Sequence, residues 1–183
     1  MPRVFFAVWP DDAVAKTLHA LAGEAQKRCQ GRVMRRETLH LTLAFLGEVS
    51  EARVAEARRV ADAVVAAPFD FVLDRLGYWQ HNRILWAGGV SPPLTLLAKH
   101  LNDGLRAAGF RLDVRPFVAH LTLLRAARCG EVPALTAPVA WPVAEFALVA
   151  SKLSSQGVSY RTIGRWPLAA GDAANGVSGL LVG

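Results

Sequence analysis

One phrase of four residues, His-Leu-Thr-Leu, is written twice, from His40 in "ETLHLTLAFLG" and from His120 in "PFVAHLTLLRA", eighty residues apart. A repeat kept for packing alone would preserve its apolar residues and let the polar ones drift. Here a histidine and a threonine are repeated along with the leucines. Strand side chains alternate between faces, so His40 and Thr42 share one face while Leu41 and Leu43 share the other. The same holds for His120 and Thr122 against Leu121 and Leu123. Each strand seats itself with two leucines and offers an imidazole beside a hydroxyl. Chance repetition of a given four-letter phrase in so short a chain is on the order of a per cent. Two such strands facing across a cleft converge two histidines and two threonines on one small volume.

The rest of the chain supplies elements to hold those strands. "RVFFAVW" is a strand-like run ended by Pro10. After it, Val14, Leu18, Leu21 and Ala25 recur at helical spacing behind acidic residues, which favour a helix N-terminus. Ser50 caps a second helix with Val54, Ala57, Ala61 and Val64 as its buried stripe. "FDFVLDRLGYW" and "RILWAGGV" read as two strands joined by a polar turn at Gln80 to Arg83. Ser91 and Pro92 start a third helix, with Leu94, Leu97, Leu101 and Leu105 on one side. A Pro-rich connection through Pro133, Pro138 and Pro142 leads to a closing pair of strands with a turn near Ser155 to Gly157. The small-residue stretch after Leu168 reads as a flexible tail over 169–183, leaving 1–168 as one domain. The pattern divides into two similar halves, and an α+β or α/β domain with two pseudo-symmetric lobes is the economical reading.

At 183 residues the chain can bury a real core without staples. A formal net charge of +6 favours an anionic partner such as nucleic acid or a phosphorylated ligand, although compositional drift accounts for it equally well. Cys29 and Cys129 lie too far apart for metal-ligand spacing and make no disulfide framework, which fits a reducing cytoplasm. The apolar run Val4 to Trp9 is too short for a signal segment or a membrane span. A cytoplasmic monomer with no membrane association and no obligate protein partner is expected.

The chemistry of a doubled imidazole and hydroxyl suits phosphoryl transfer. One histidine takes a proton from water while the other gives one to the leaving oxygen, because an unperturbed pKa near 6.5 leaves both forms populated at neutrality. Threonine hydroxyls donate to non-bridging phosphate oxygens, where transition-state charge gathers. Arg125 stands five residues after His120 and faces the opposite way in an unbroken strand, so it joins the site only through a bend or bulge. Phe45 stands five residues after His40, and the same parity assigns it to the core unless that strand bends. Arg35 and Arg36 precede the first motif and are candidates to meet an RNA backbone. His19 and His100 fall off the helical stripes, and His81 sits in a polar turn. Four of the five tryptophans, Trp9, Trp79, Trp86 and Trp166, fall in strand-like runs and, with Trp141, are assigned to the core.

With these residues in view, the chain resembles the 2H phosphoesterase superfamily, and within it the RNA 2′,3′-cyclic phosphodiesterases, the LigT-like proteins also called 2′-5′ RNA ligases. The likeness covers residues 3 to 168 and includes "RVFFAVWP", "HLTLAFLGEV", "LNDGLRAAGF", "FVAHLTLLR" and "SKLSSQGVSYRTIGRWPL". It implies an α+β bilobal fold, two small mostly antiparallel sheets flanked by helices, with the motif strands lining a central cleft. It implies no metal and no cofactor. The implied reaction opens the 2′,3′-cyclic phosphate at an RNA end to a 2′-phosphate. His40 would then be the proton donor and His120 the acceptor. Thr42, Thr122 and Arg125 would hold the phosphate, and Phe45 and Arg36 are candidate substrate contacts. The reverse reaction, 2′-5′ joining of RNA ends, comes with the resemblance. Three other readings stay open on sequence alone: a phosphodiesterase for 2′-5′ oligonucleotides, one for small cyclic nucleotides, or a basic RNA-binding module that does no catalysis.

Overall fold

A computed structural model describes residues 1–154 and 157–169. The apolar opening forms β1 (Arg3–Val8), which sends Val4, Phe6 and Val8 into the main core and Phe5 and Ala7 to the other face. Asp11 caps α1 (Asp12–Cys29), its carboxylate accepting from the Val14 amide at 2.8 Å. A short β2 (Arg32–Val33) and a 3-10 turn (Arg36–Thr38) lead into β3 (Leu41–Glu48). Ser50 caps α2 (Glu51–Asp62), which ends before Val64, so that residue packs from beyond the helix. Then come β4 (Phe69–Leu73), β5 (Arg75–Trp79) and β6 (Ile84–Gly88). Ser91 caps α3 (Pro92–Ala107), with proline in the first turn and Leu94, Leu97, Leu101 and Leu105 buried as expected. The chain closes with β7 (His120–Arg125), β8 (Val139–Val143), β9 (Glu145–Ser154) and β10 (Gly157–Pro167).

These elements form an α+β, bilobal molecule. One sheet has the order β10-β9-β1-β3 and the other β2-β7-β6-β5, while β4 and β8 make a separate two-stranded ribbon. Every recorded strand pair is antiparallel. A single large hydrophobic cluster joins the inner faces of both lobes, running from Phe6 and Leu43 to Leu121 and Leu123.

The structure corrects four expectations. The lobes are not the two halves of the sequence. β9 and β10, late in the chain, complete the first sheet, and β2, early in the chain, is an edge of the second. The helices cross over too, since α1 lies against β7 and α3 against β3. "FDFVLDRLGYW" is two strands in two sheets. The Asp74 amide donates to the Gly88 carbonyl at 3.0 Å and pins a corner there; before it β4 pairs with β8, and beyond it β5 pairs with β6. The Pro-rich connection contains β8 itself, and Pro142 is tolerated because a two-stranded ribbon consists of edges.

The fourth correction concerns the cysteines. Cys29 ends α1, the Arg128 amide donates to its carbonyl, and its sulfur is bonded to that of Cys129. Closing a loop of that length stabilises a fold by about 4–5 kcal/mol in the chain-entropy view. The thiols therefore no longer argue for a reducing compartment. No described helix is long and apolar enough to cross a membrane. β9 and β10 pair as expected, but residues 155 and 156 of their turn, and 170–183 of the expected tail, lie outside the described residues.

Candidate active site

The two motif strands meet as their repetition suggested. A cavity of about 150 Å³ is lined by His40, Thr42, His120, Thr122 and Arg125, together with Met34, Thr38 and Ile84. Leu41, Leu43, Leu121 and Leu123 are buried behind it, so alternation seats each strand and presents its polar pair.

Both strands break that alternation at the same place. In β3 the pairing with β1 runs Ala7 to Thr42 and then Phe6 to Ala44, skipping Leu43. In β7 the pairing with β6 runs Trp86 to Thr122 and then Leu85 to Leu124, skipping Leu123. Each bulge turns two successive residues inward, Leu43 with Ala44 and Leu123 with Leu124, all of them buried. The fifth residue after each histidine thus returns to the cleft face. Arg125 reaches the cavity in this way, meeting the condition its parity imposed. The equivalent Phe45 is not core: it is 47% exposed, with the Arg3 guanidinium 5.3 Å from its ring centroid. It does not line the cavity of the two histidines.

Each histidine is oriented identically. His40 Nδ1 lies 2.7 Å from the Thr38 carbonyl, and His120 Nδ1 lies 2.7 Å from that of Val118. A carbonyl only accepts, so each Nδ1 carries the hydrogen and each Nε2 is the nitrogen left for chemistry. Burial lowers the pKa of His40 to about 4, against the Thr38 carbonyl's opposite pull, and the positive charges of Arg125 and His120 add to the lowering. Burial also lowers His120, again opposed by its carbonyl partner, Val118. An empty site therefore favours two neutral imidazoles at neutral pH.

Aromatic rings support both histidines, and the sequence reading missed this by assigning the tryptophans to the core. Trp9 stacks on His40 with centroids 4.7 Å apart, Tyr160 meets it edge-on at 5.3 Å, and Phe5 lies 5.0 Å away. Trp79 stands edge-on to His120 at 4.5 Å. Only Trp141 is fully buried. The signal available was position: Trp9 follows β1, and β1 pairs with the strand that His40 opens.

Arg36 does not reach the cavity. Its guanidinium lies 3.2 Å from the Asp12 carboxylate, at the start of α1, which turns it away. Arg35 donates to the Val158 carbonyl at 2.9 Å, tying β10 to the turn before the motif. Thr38, which no motif flagged, is buried beneath His40, its hydroxyl donating to the Arg35 carbonyl. His19, His81 and His100 are exposed. Among the described residues, no three or more His, Cys, Asp or Glu side chains gather as a metal site.

Two imidazoles in one tautomer, two hydroxyls and a guanidinium around one small cavity form a constellation for acid-base chemistry on an anion. Comparison with known proteins agrees. The family model described as "LigT like Phosphoesterase" matches residues 8–86 and 87–160. The chain is 34% identical over 170 residues to an RNA 2′,3′-cyclic phosphodiesterase of Escherichia coli K12, spanning 91% of this chain and 96% of that protein. A protein of the same name from Thermus thermophilus is 29% identical over 178 residues, covering 91% and 90%. The crystal structure of E. coli LigT complexed with 3′-AMP superposes with a TM-score of 0.85 at 30% identity, over 92% of this chain and 99% of that one.

Proposed function

Because the chain belongs to the LigT-like phosphoesterases, we propose that it hydrolyses the 2′,3′-cyclic phosphate at RNA ends to a 2′-phosphate. The observation that carries this reading is the pair of Nδ1-tethered histidines around one cavity with Thr42, Thr122 and Arg125. His120 Nε2 takes a proton from water as the water oxygen bonds to phosphorus. His40 Nε2 gives its proton to the departing 3′ oxygen, and the bond from phosphorus to the 2′ oxygen is kept. Thr42 and Thr122 donate to the non-bridging oxygens, and the Arg125 fork balances the charge that develops there.

The donor role requires a protonated His40, which burial resists in the empty site. An anionic phosphate arriving beside it favours the imidazolium, so substrate binding itself arms the acid. A 5′ hydroxyl in place of water uses the same roles: it gives its proton to His120 Nε2 and bonds to phosphorus, the 3′ oxygen leaves with the proton of His40, and a 2′-5′ linkage forms. Exchanging the roles cleaves that linkage back to the cyclic phosphate. The cytoplasm is the proposed compartment on the reading of the substrate as RNA; the bonded cysteines contribute nothing to that assignment.

The test is product analysis on a defined RNA ending in a 2′,3′-cyclic phosphate. A 2′-phosphate should form at an unchanged rate in EDTA. His40→Ala and His120→Ala should each lower kcat by roughly 10²–10⁴. A 3′-phosphate product, loss of activity on chelation, or full activity in either variant would overturn the assignment.

A further inference from the structure

β10 contains a third version of the bulged phrase. Its pairing with β9 runs Thr162 to Val149 and then Gly164 to Leu148, skipping Ile163, the residue after the threonine, as in β3 and β7. The order of side chains is also the same. Tyr160 stands where the catalytic strands have histidine, Thr162 where they have threonine, and Arg165 where β7 has Arg125. As in β7, the bulge brings the threonine and the arginine to one face, and both line a second cavity of about 220 Å³.

That cavity adjoins the catalytic one. Direct cross-strand partners share a face, and one row runs Thr42, Ala7, Ala147, Arg165 across the first sheet. Three strand spacings put Arg165 about 14 Å from Thr42, and between them lie only two buried alanines. Trp9 lines the second cavity and stacks on His40, so it is the wall between the two. A floor of small residues, a half-buried indole and a guanidinium at the far end match a nucleotide chain, which needs a stacking surface and an anion partner.

We infer that Thr162 and Arg165 form a second phosphate site that holds without cleaving, and that it takes a phosphodiester of the RNA strand on the 5′ side of the reacting end. This rests on the reading of the substrate as RNA. Tyr160, in the place of the histidine, does not line this cavity and stands edge-on to His40 instead, so no imidazole faces a phosphate held by Thr162 and Arg165. Arg165 is paired through Nη1 with the Glu145 carboxylate, and both groups are substantially exposed. A guanidinium has five N–H donors, so others remain for a phosphate. The carboxylate weakens the site, and removing its charge should strengthen it.

Two measurements test this. The first is anisotropy of a labelled trinucleotide ending in a 2′-phosphate. Arg165→Ala should weaken binding about tenfold and reduce the salt slope by roughly 0.7, as expected for one single-strand phosphate contact. Glu145→Gln should tighten binding several-fold, a gain that a merely structural role for the ion pair does not produce. The second is the ratio of kcat/KM for a cyclic-phosphate trinucleotide to that for a nucleoside 2′,3′-cyclic phosphate. It should fall about tenfold in Arg165→Ala and less in Thr162→Val, as the loss of one charged or one neutral hydrogen bond implies.

Binding, salt slope and ratio all within twofold of the unsubstituted protein in Arg165→Ala would overturn the site. If no cyclic phosphate is hydrolysed at all, the functional reading fails, yet anisotropy still decides whether Arg165 holds a phosphate.

Discussion

The two sheets hold the same motif and use it differently. On the second, the row beside Thr122 runs to Trp86 and then to Gly77. The Trp86 ring lies so close over that glycine that an added Cβ would sit 2.1 Å from it, and it also crowds Gly88. On the first, the row beside Thr42 runs over two alanines and stays open as far as Arg165. The fifth residue after each histidine differs as well, an arginine aimed into the cavity on one side and an exposed phenylalanine on the other. The repeated part is the pair of histidine and threonine, the acid-base pair of the proposed mechanism. The surroundings differ: a closed lobe sets Arg125 in the first cavity, and an open lobe carries Thr162 and Arg165 along the second.

The sharpest way to break this comparison is to remove the two equivalent fifth residues. Arg125→Ala should reduce kcat by about 10²–10³, the usual cost of one pre-organised donor to transition-state charge. Phe45→Ala should change kcat by less than about threefold, since its ring is exposed and touches no reacting group in this mechanism. Comparable losses in the two variants would mean that the lobes share the charge.

The next test concerns the more deeply set histidine. The folded protein holds His40 near pH 4, below the ordinary histidine value, so the fold favours its neutral form. That contribution is complete above about pH 6.5 and is lost as the pH falls toward 4. Denaturant titrations at pH 7 and pH 4 should show the original protein losing about 2–3 kcal/mol more than His40→Gln, a figure discounted for the ring's partial exposure. In kinetics, kcat/KM reports the empty enzyme and should fall as pH rises through neutrality. The kcat plateau should extend to higher pH, because bound phosphate stabilises the imidazolium. Superimposable profiles would count against His40 as the donor.

The smallest effect is expected behind His120. Gly77→Ala places a methyl where the Trp86 ring lies, and an overpacked contact of this sort costs about 1–3 kcal/mol in stability. Ala147→Gly on the open side removes a single methyl from a strand and should cost less, about 0.5–1 kcal/mol.

Much of the site was legible because strand parity is a local rule. His40, Thr42, His120 and Thr122 needed only the period of two and the repetition itself. Arg125 and Phe45 were harder, since parity alone misplaces both. The bulges that correct it depend on which partner residue is skipped, and pairing across eighty residues is not written locally. Trp9, Trp79 and Tyr160 escaped for a related reason: each meets its histidine from another strand or from just beyond one. The helices were legible from caps and stripes, Asp11, Ser50 and Ser91 among them. The sheet memberships were not, because β4 and β5 are continuous in sequence and separate only where the Asp74 amide finds the Gly88 carbonyl. The disulfide escaped because two cysteines a hundred residues apart carry no mark of α1 lying beside β7.

The crossing of the helices between lobes bears on how the molecule is assembled. If the chain were severed in the turn between β5 and β6, one fragment would carry α1 without the β7 surface that covers it. The other would carry α3, β9 and β10 without β1 and β3. Neither piece is a lobe. The Cys29–Cys129 bond would still tether the two fragments; once it is reduced, they are expected to be poorly structured apart and to regain the cavity of the two histidines only on mixing. The active site would then be a reporter of reassociation, each fragment bringing one of the two histidines.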